Sequence, residues 1–235
     1  MIGAAQLAPP TVATLELFGG LPQSALELLA AAARVRRLRK DLRIFSQGDD
    51  GVRAHAVIEG GVRITQSGSD GARVVIRFIG PGEMFGTVAF FTGSRYPADA
   101  ITLDETLEAS WSEAELLALI NRHPQIALNV IRVIGKRLQE VQDRVRELAT
   151  QRAERRVAYA VMRLARQAGR GTIEGTTIDF RLRRKDVADI AGTTLHTASR
   201  ILTAWEGAGI LVTRNQRLTI RQPSAVLRIA EDVSG

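Results

Sequence analysis

The segment 183–211, RRKDVADIAGTTLHTASRILTAWEGAGIL, constrains the fold more than any other part of the chain. Its apolar residues recur at helical spacing on both sides of Gly192. This predicts a first helix over 185–191, a turn at the glycine and a second helix capped by Thr193 or Thr194. The residues expected to face inward are small or apolar: Val187, Ala188, Ile190 and Ala191 in the first helix, and Ala198, Ile201, Leu202 and Trp205 in the second. This is the pattern of a helix-turn-helix.

The outward face of the second helix is polar in its N-terminal half, the part that enters the major groove of DNA in this motif. Arg200 can form a bidentate hydrogen bond with guanine O6 and N7, and Thr197 and Ser199 can bond to bases or phosphates. An ordinary helical hairpin would explain the apolar spacing, but not an arginine at this position within a basic region. The candidate DNA-binding residues are Lys185, Thr194, His196, Thr197, Ser199 and Arg200.

The positive charge of the chain is concentrated in its last third. Up to residue 149 the sequence has 17 basic and 17 acidic residues, whereas residues 150–235 have 15 basic and 8 acidic ones, which accounts for the whole net charge of +7. A basic region favours an anionic polymer as partner, although an ordinary solvated surface is the alternative. A helix over 153–168, a break at 169–171, a β-like pair and a hairpin with its turn near Asn215 and Gln216 complete the order of a winged helix domain.

Short β-rich runs separated by glycines occupy residues 33–111. With turns at 48–51, 67–71 and 81–82, they predict antiparallel hairpins of a small barrel or roll. A short helix is expected over 22–33, and another is expected to begin after Ser112, which can act as its N-cap. The predicted fold class is α+β: an N-terminal antiparallel β-roll, a long helix and a C-terminal winged helix-turn-helix.

The long helix is predicted over 124–150, where apolar residues repeat in steps of four and three as in a coiled coil. We expect this stripe to form the interface of a parallel homodimer; the alternative is a long helix lying on its own domain. The dimerisation residues would be Ile131, Ile134, Leu138, Val141, Val145 and Leu148, with Ala127 before them. The other faces are expected to be solvated and carry Arg132, Lys136, Arg137, Gln139, Glu140, Asp143, Arg144 and Glu147.

Several classes of protein are disfavoured by what the sequence lacks. Without cysteine, disulfides, thiolate zinc sites and iron-sulfur clusters are excluded, and no other metal site is indicated. No nucleophile motif, P-loop or paired carboxylate motif points to an enzyme. No apolar run is long enough to span a membrane, and the start of the chain has no signal-peptide pattern, so we expect a cytoplasmic protein.

A family resemblance follows from Gly48, Gly60, PGEMFG at 81–86 and HTASRIL at 196–202. Over about residues 20 to 225 the chain resembles the cyclic-AMP receptor/FNR superfamily of bacterial transcription regulators, with His196 where glutamate is usual. The resemblance implies a sensor domain over 1–123, a dimerisation helix over 124–150 and a DNA-binding domain over 151–235. It also implies a palindromic site on double-stranded DNA and RNA polymerase as a protein partner.

The resemblance implies less about the effector. In cyclic-nucleotide binders a glutamate and an Arg-Ser or Arg-Thr pair hold the ribose and phosphate, but here those positions are Thr87 and Pro97-Ala98. The segments GEMFGTVAFFTGSRYPADA and TTLHTASRIL resemble the nitric-oxide-responsive denitrification regulators, so the cofactor is open and haem is one candidate, with His55, His123 or Met84 as ligand. A cyclic-nucleotide-responsive sensor module is the alternative. The candidate effector pocket consists of Phe85, Gly86, Thr87, Val88, Arg95 and Tyr96, with Phe90 beside them.

We predict that cyclic AMP binds this chain at least about a hundredfold more weakly than it binds a true cyclic-AMP receptor, because two or three charge-assisted contacts are lost. Isothermal titration calorimetry measures this directly. Micromolar binding together with a matching gain in DNA affinity would show that Arg95 has taken over the phosphate.

Overall fold

The structure is a computed structural model, and it describes residues 7–69 and 73–231. The contacts of the chain form two compact units: residues 1–72 with 79–141, and residues 73–78 with 142–235. The predicted turn at 67–71 extends beyond the described residues. The domain limits implied by the resemblance stay a prediction, since the units divide the long helix and include one strand of the N-terminal part in the second unit.

The N-terminal part is rich in short strands, as the sequence predicts. Its elements are, in order, α1 (Pro9–Ala13), α2 (Gln23–Ala32), β1 (Arg34–Leu38), β2 (Arg43–Phe45), β3 (Arg53–Glu59), β4 (Val62–Ser67), β5 (Arg73–Ile79), β6 (Met84–Phe85), α3 (Thr87–Thr92), β7 (Asp99–Thr102), β8 (Thr106–Ser112), α4 (Glu113–Arg122) and α5 (Gln125–Thr150). The strands form two four-stranded sheets, in the orders β1-β8-β3-β6 and β2-β7-β4-β5.

The C-terminal part has the order of a winged helix-turn-helix. Its elements are α6 (Ala153–Ala168), β9 (Gly169–Thr172), β10 (Gly175–Ile178), α7 (Arg184–Ala191), α8 (Leu195–Gly207), β11 (Leu211–Arg214), β12 (Arg217–Ile220) and α9 (Pro223–Glu231). Strands β9 to β12 form one sheet in the order β11-β12-β10-β9. Helix α6 ends at Ala168, directly before residues 169–171, as the sequence predicts, but these residues are already the first strand of the β-pair, because they pair with β10.

Two apolar clusters stabilise the first unit. In the larger one, Phe18 packs edge-on against Trp111, and the indole of Trp111 donates to the carbonyl of Leu29 in α2 at 2.8 Å. The smaller one lies between the two sheets and contains Phe45, Val57, Phe85 and Tyr96. At the end of β8, Ser112 and Glu115 form a capping box, which confirms the predicted start of α4.

The long helix α5 agrees with its predicted bounds to within one residue. Its apolar stripe is exposed in the single chain, from 45% at Leu148 to 65% at Ile131. We expected the other faces of α5 to be solvated, but three of their side chains contact other parts of the chain. Arg137 donates to Glu16 and to the carbonyl of Met84, Arg144 donates to the carbonyls of Ile76 and Asp189, and buried Glu147 pairs with Arg163.

The helix-turn-helix follows the sequence prediction closely. All eight residues expected inward are buried, and Gly192 has the left-handed conformation that ends α7, with φ of 61°. Thr194 caps α8 by accepting from the amide of Thr197. In the β11–β12 hairpin, Asn215 and Gln216 have φ of 50° and 62°, so the predicted turn is also confirmed.

The left-handed glycines Gly86 and Gly93 flank α3 and differ in their surroundings. A Cβ on Gly86 would lie 2.8 Å from the carbonyl oxygen of Arg53 and 2.9 Å from His55 Cδ2, whereas one on Gly93 would meet nothing within 4 Å. The backbone strain of a non-glycine residue is similar at both positions.

We therefore expect Gly86→Ala to lower the free energy of unfolding by about 1 to 3 kcal/mol more than Gly93→Ala, because only the first forces its neighbours apart. Urea unfolding of the two variants measures the difference. Equal losses would mean that the surroundings of Gly86 adjust without cost.

Candidate DNA-binding and effector sites

The N-terminal half of α8 presents the polar side chains predicted to reach DNA. Leu195, His196 and Arg200 are exposed, and Thr197 and Ser199 are partly buried. Within the described part of the chain, no side chain bonds to His196 or Arg200, so both are available to a ligand. The hydroxyl of Thr194 donates to that of Thr197 at 2.9 Å, so these two hydroxyls form a hydrogen bond with each other at the N-terminus of α8.

The crossing of α7 and α8 is fixed by Arg184, which the sequence did not single out. Its guanidinium donates to the carbonyl of Ser199, to the hydroxyl of Thr203 and to the carboxylate of Glu206 at 2.7 to 2.9 Å. The candidate Lys185 pairs instead with Asp189 one turn along α7, where it stays about half exposed. Because the guanidinium of Arg184 on α7 donates to three groups of α8, it holds the polar face of α8 in one orientation relative to α7.

Arginines and two carboxylates cluster on the sheet of the second unit. Arg214 and Arg221 pair with Glu174, and Arg170 and Arg217 pair with Asp179. Four guanidinium groups against two carboxylates leave an excess positive charge at this surface. Such an excess favours contact with a phosphate backbone.

The six candidate effector residues do not line one cavity. Phe85 and Tyr96 are buried in the smaller apolar cluster, where the ring of Tyr96 stacks on Phe45 with centroids 3.7 Å apart. Thr87 is also buried, whereas Val88 is 57% exposed at the surface of α3. The rings of Phe85 and Tyr96, around which the sequence suggested an apolar ligand route, are thus packed against other side chains.

A buried polar network lies behind this cluster. His55 Nδ1 is 2.5 Å from a carboxylate oxygen of Glu108, and His55 Nε2 is 3.1 Å from the hydroxyl of Tyr96. Arg36 donates to the other oxygen of Glu108 at 2.9 Å, and the amide of Arg53 donates to the Tyr96 hydroxyl at 2.7 Å. Each polar group in the network therefore has a partner, as buried groups require.

The protonation states follow from burial. Burial lowers the pKa of His55, against the opposing effect of Glu108. Burial alone would raise the pKa of Glu108, but hydrogen bonds from His55 and Arg36 outweigh it, so the net shift is downward. Burial also raises the pKa of Tyr96. At neutral pH, Glu108 is thus a carboxylate, and neutral His55 donates to it through Nδ1. The Tyr96 hydroxyl has one proton and two acceptors at 3.1 Å, His55 Nε2 and the carbonyl oxygen of Arg53.

Two of the three residues named as possible haem ligands already have other contacts inside the first unit. Both ring nitrogens of His55 are engaged in the buried network, and Met84 is fully buried in the larger apolar cluster. His123 ends α4 at its C-cap. In residues 7–69 and 73–231, no group of three or more His, Cys, Asp or Glu side chains could hold a metal ion.

An open cleft of about 740 Å³ lies elsewhere in the first unit. Of the predicted pocket it includes Arg95, with the neighbouring Phe90, and not the other five residues. Arg95 forms an exposed ion pair with Asp50 across this cleft at 3.0 Å. Arg53 and Glu113 also line it, together with Val52 and Ala89, so the cleft has a mixed polar and apolar lining instead of the apolar one expected from the sequence.

Comparison with known proteins settles the family. A model of the cyclic nucleotide-binding domain matches residues 35–123, and a model of the Crp-like helix-turn-helix domain matches residues 155–229. The cyclic AMP receptor protein of Thermus thermophilus is 30% identical over 214 residues, which cover 91% of this chain and 96% of that protein. The chain belongs to the CRP/FNR family of transcription regulators.

Other relatives agree with this family membership. The nitrogen fixation regulation protein FixK of Rhizobium meliloti is 31% identical over 234 residues, covering 96% of this chain and 98% of FixK. The structure of FixK2 from Bradyrhizobium japonicum shares the fold, with a TM-score of 0.73 at 24% identity over 84% of this chain and 96% of that one.

As a CRP/FNR regulator, the chain combines a cyclic nucleotide-binding-like domain with a DNA-binding helix-turn-helix, and it is not an enzyme. The predicted fold class and family are confirmed, while the nitric-oxide-responsive subgroup stays a prediction. In the described ranges, no helix has the length and hydropathy needed to cross a membrane.

The sequence analysis missed the side chains that hold the two sites in shape. Arg184 and Glu206 are 22 residues apart, and no local pattern links them. Glu108 had a usable signal: it is the one charged residue of the strand TLEASWS, and a carboxylate buried in such a strand requires a partner. That requirement points to a nearby basic side chain, a role that His55 and Arg36 fill.

Proposed function

We propose that two copies of this chain pair through the exposed stripe of α5, and that the dimer regulates transcription by binding a palindromic DNA site. The observation that carries this proposal is the stripe itself. Six large apolar residues on one face of a helix are each 45 to 65% exposed, and contiguous exposed apolar surface marks an interaction site. A coiled-coil pair would bury this face.

Each recognition helix then reads one half-site, and the two half-sites lie about one helical turn apart, since the symmetry of the site follows that of the dimer. Arg200 reads a guanine, His196 occupies the place of the usual glutamate, and Lys185, Thr194, Thr197 and Ser199 contact bases or phosphates nearby. The family resemblance supports RNA polymerase as a further partner.

The effector of this regulator is proposed to be a small molecule other than cyclic AMP that acts on the β-roll. Thr87 and Ala98 are both buried at the positions where cyclic-nucleotide binders carry charged or hydroxyl groups, and Pro97 has no amide hydrogen to donate. A response to cyclic AMP is the second candidate, because one similar protein is named a cyclic AMP receptor. A nitric-oxide response through haem would need a ligand other than His55.

Arg200→Ala tests base recognition. Removing a bidentate arginine should weaken binding to the preferred site by about 1 to 3 kcal/mol and abolish the preference for one guanine in each half-site. Selection of binding sites from random DNA, carried out with both proteins, measures the preference. Identical preferred sequences would remove Arg200 from base recognition.

Leu138→Asp tests the dimer. Leu138 is 56% exposed in the single chain, so the substitution should leave each chain folded while placing a charge in the proposed interface. We expect dimerisation and binding to the palindromic site to be lost together, as measured by light scattering and fluorescence anisotropy. Gln139→Asp, which adds the same charge at an exposed position beside the stripe, is the matched control and should remain dimeric. A dimeric Leu138→Asp variant would place the interface elsewhere.

A further inference from the structure

The turn of the helix-turn-helix is held from outside by three side chains, Arg144, Leu148 and Arg156, which we name the turn clamp. The first two lie on α5 and the third on α6, within the second unit. All three meet the end of α7 or the turn at Gly192. These contacts are made within the chain, to backbone carbonyls and to the turn, so they need another explanation than DNA contact.

Arg156 makes the most extensive contact of the three. Its Nε donates to the carbonyl of Ala191 at 2.9 Å and its Nη2 to that of Gly192 at 3.0 Å. Its Nη1 donates to the carbonyl of Gln151 at 2.8 Å, directly after the end of α5. One guanidinium thus satisfies carbonyls at the open end of α7 and ties them to the connection between α5 and α6.

The two residues from α5 complete the contact. Arg144 Nη2 donates to the carbonyl of Asp189 at 3.0 Å, two residues before the end of α7. A Cβ on Gly192 would lie only 2.3 Å from Leu148 Cδ2, so the leucine methyl group lies directly against the turn. Two residues after this glycine, Thr194 caps the recognition helix. The first turn of α8 is therefore fixed relative to the end of α5 by short, directional contacts.

We propose that the turn clamp sets which separation of half-sites the dimer accepts. This inference rests on the proposed function, in which α5 pairs with its copy. If the two α5 helices are joined along their stripe, the distance between the two recognition helices depends on how rigidly each is held to its own α5. A held turn then accepts one separation and rejects others, whereas a loosened turn adapts to several.

The test compares wild-type protein with Arg156→Lys and Arg144→Lys. Lysine keeps the charge and most of the stem, but a single ammonium cannot reach several carbonyls in the geometry of the arginine fork. Arg146→Lys is the matched control, because Arg146 lies on α5 like Arg144, is 75% exposed and, among the residues that the structure describes, forms an ion pair with Asp143 alone. Affinities are measured for DNA with the selected half-sites at the preferred separation, for DNA with one or two base pairs added or removed, and for a single half-site.

We expect both clamp variants to bind the single half-site within about twofold of wild type and to dimerise normally, while their preference for the native separation falls at least about fivefold. Hydrogen exchange of the amides of residues 189–194 should become faster in the same variants. The exchange measurement does not depend on dimerisation, so it reports on the clamp separately. Arg146→Lys should match wild type in every measurement.

Several results would overturn the inference. Faster exchange with an unchanged preference would show that the clamp holds the turn without setting the separation, and unchanged exchange would show that it does not hold the turn. A loss of single half-site affinity equal to the loss at the preferred site would assign the arginines to DNA contact. Equal binding of all separations by the wild type would contradict the proposed dimeric site, and the spacing inference with it, before any variant is compared.

Discussion

The long helix α5 is the element on which the rest of this structure depends, because its faces have different tasks. One face carries an apolar stripe whose six large residues are 45 to 65% exposed in the single chain. In the first unit, Arg137 on another face donates to Glu16 and to the carbonyl of Met84, just before the turn at Gly86. In the second unit, Glu147 pairs with Arg163 and Leu148 contacts Gly192. A helix with these contacts cannot rotate about its axis without breaking directional bonds.

The β-roll is organised by a different constraint, the cost of burying charge. Glu108 is completely buried, and an unpaired carboxylate in that position would be strongly destabilising. Arg36 and His55 form hydrogen bonds with this carboxylate. The other ring nitrogen of His55 is within hydrogen-bond distance of the Tyr96 hydroxyl, which in turn accepts from the amide of Arg53. The polar groups inside this part of the roll are consequently bound to one another. An effector that used them would have to replace existing hydrogen bonds rather than fill vacant ones.

The parts of the structure that follow local rules could be predicted from the sequence. The helix-turn-helix, the cap at Ser112 and the turn at Asn215 and Gln216 all depend on neighbours within a few residues, and the structure confirms them. The clearest error has its origin in a long-range contact. Arg137 was expected to be solvated because its helix face is polar, yet Glu16, which is 121 residues away, pairs with it. The difference at residues 169–171 is local: the helix ends before them as predicted, and hairpin pairing with β10 makes them part of a strand.

The same distinction explains why the DNA-binding half could be interpreted further than the sensing half. The residues proposed to read bases lie within one and a half turns of a single helix, so their order along the chain already gives their order in space. A ligand site in the roll is instead assembled from loops and strands far apart in sequence, as the cleft between residues 50–53, 89–95 and 112–113 shows. There, contacts between residues far apart in sequence decide which side chains are covered: the ring of Tyr96 stacks on Phe45, 51 residues earlier. Family membership indicates the path of the backbone through this region, whereas the effector that is bound depends on the individual side chains of the site.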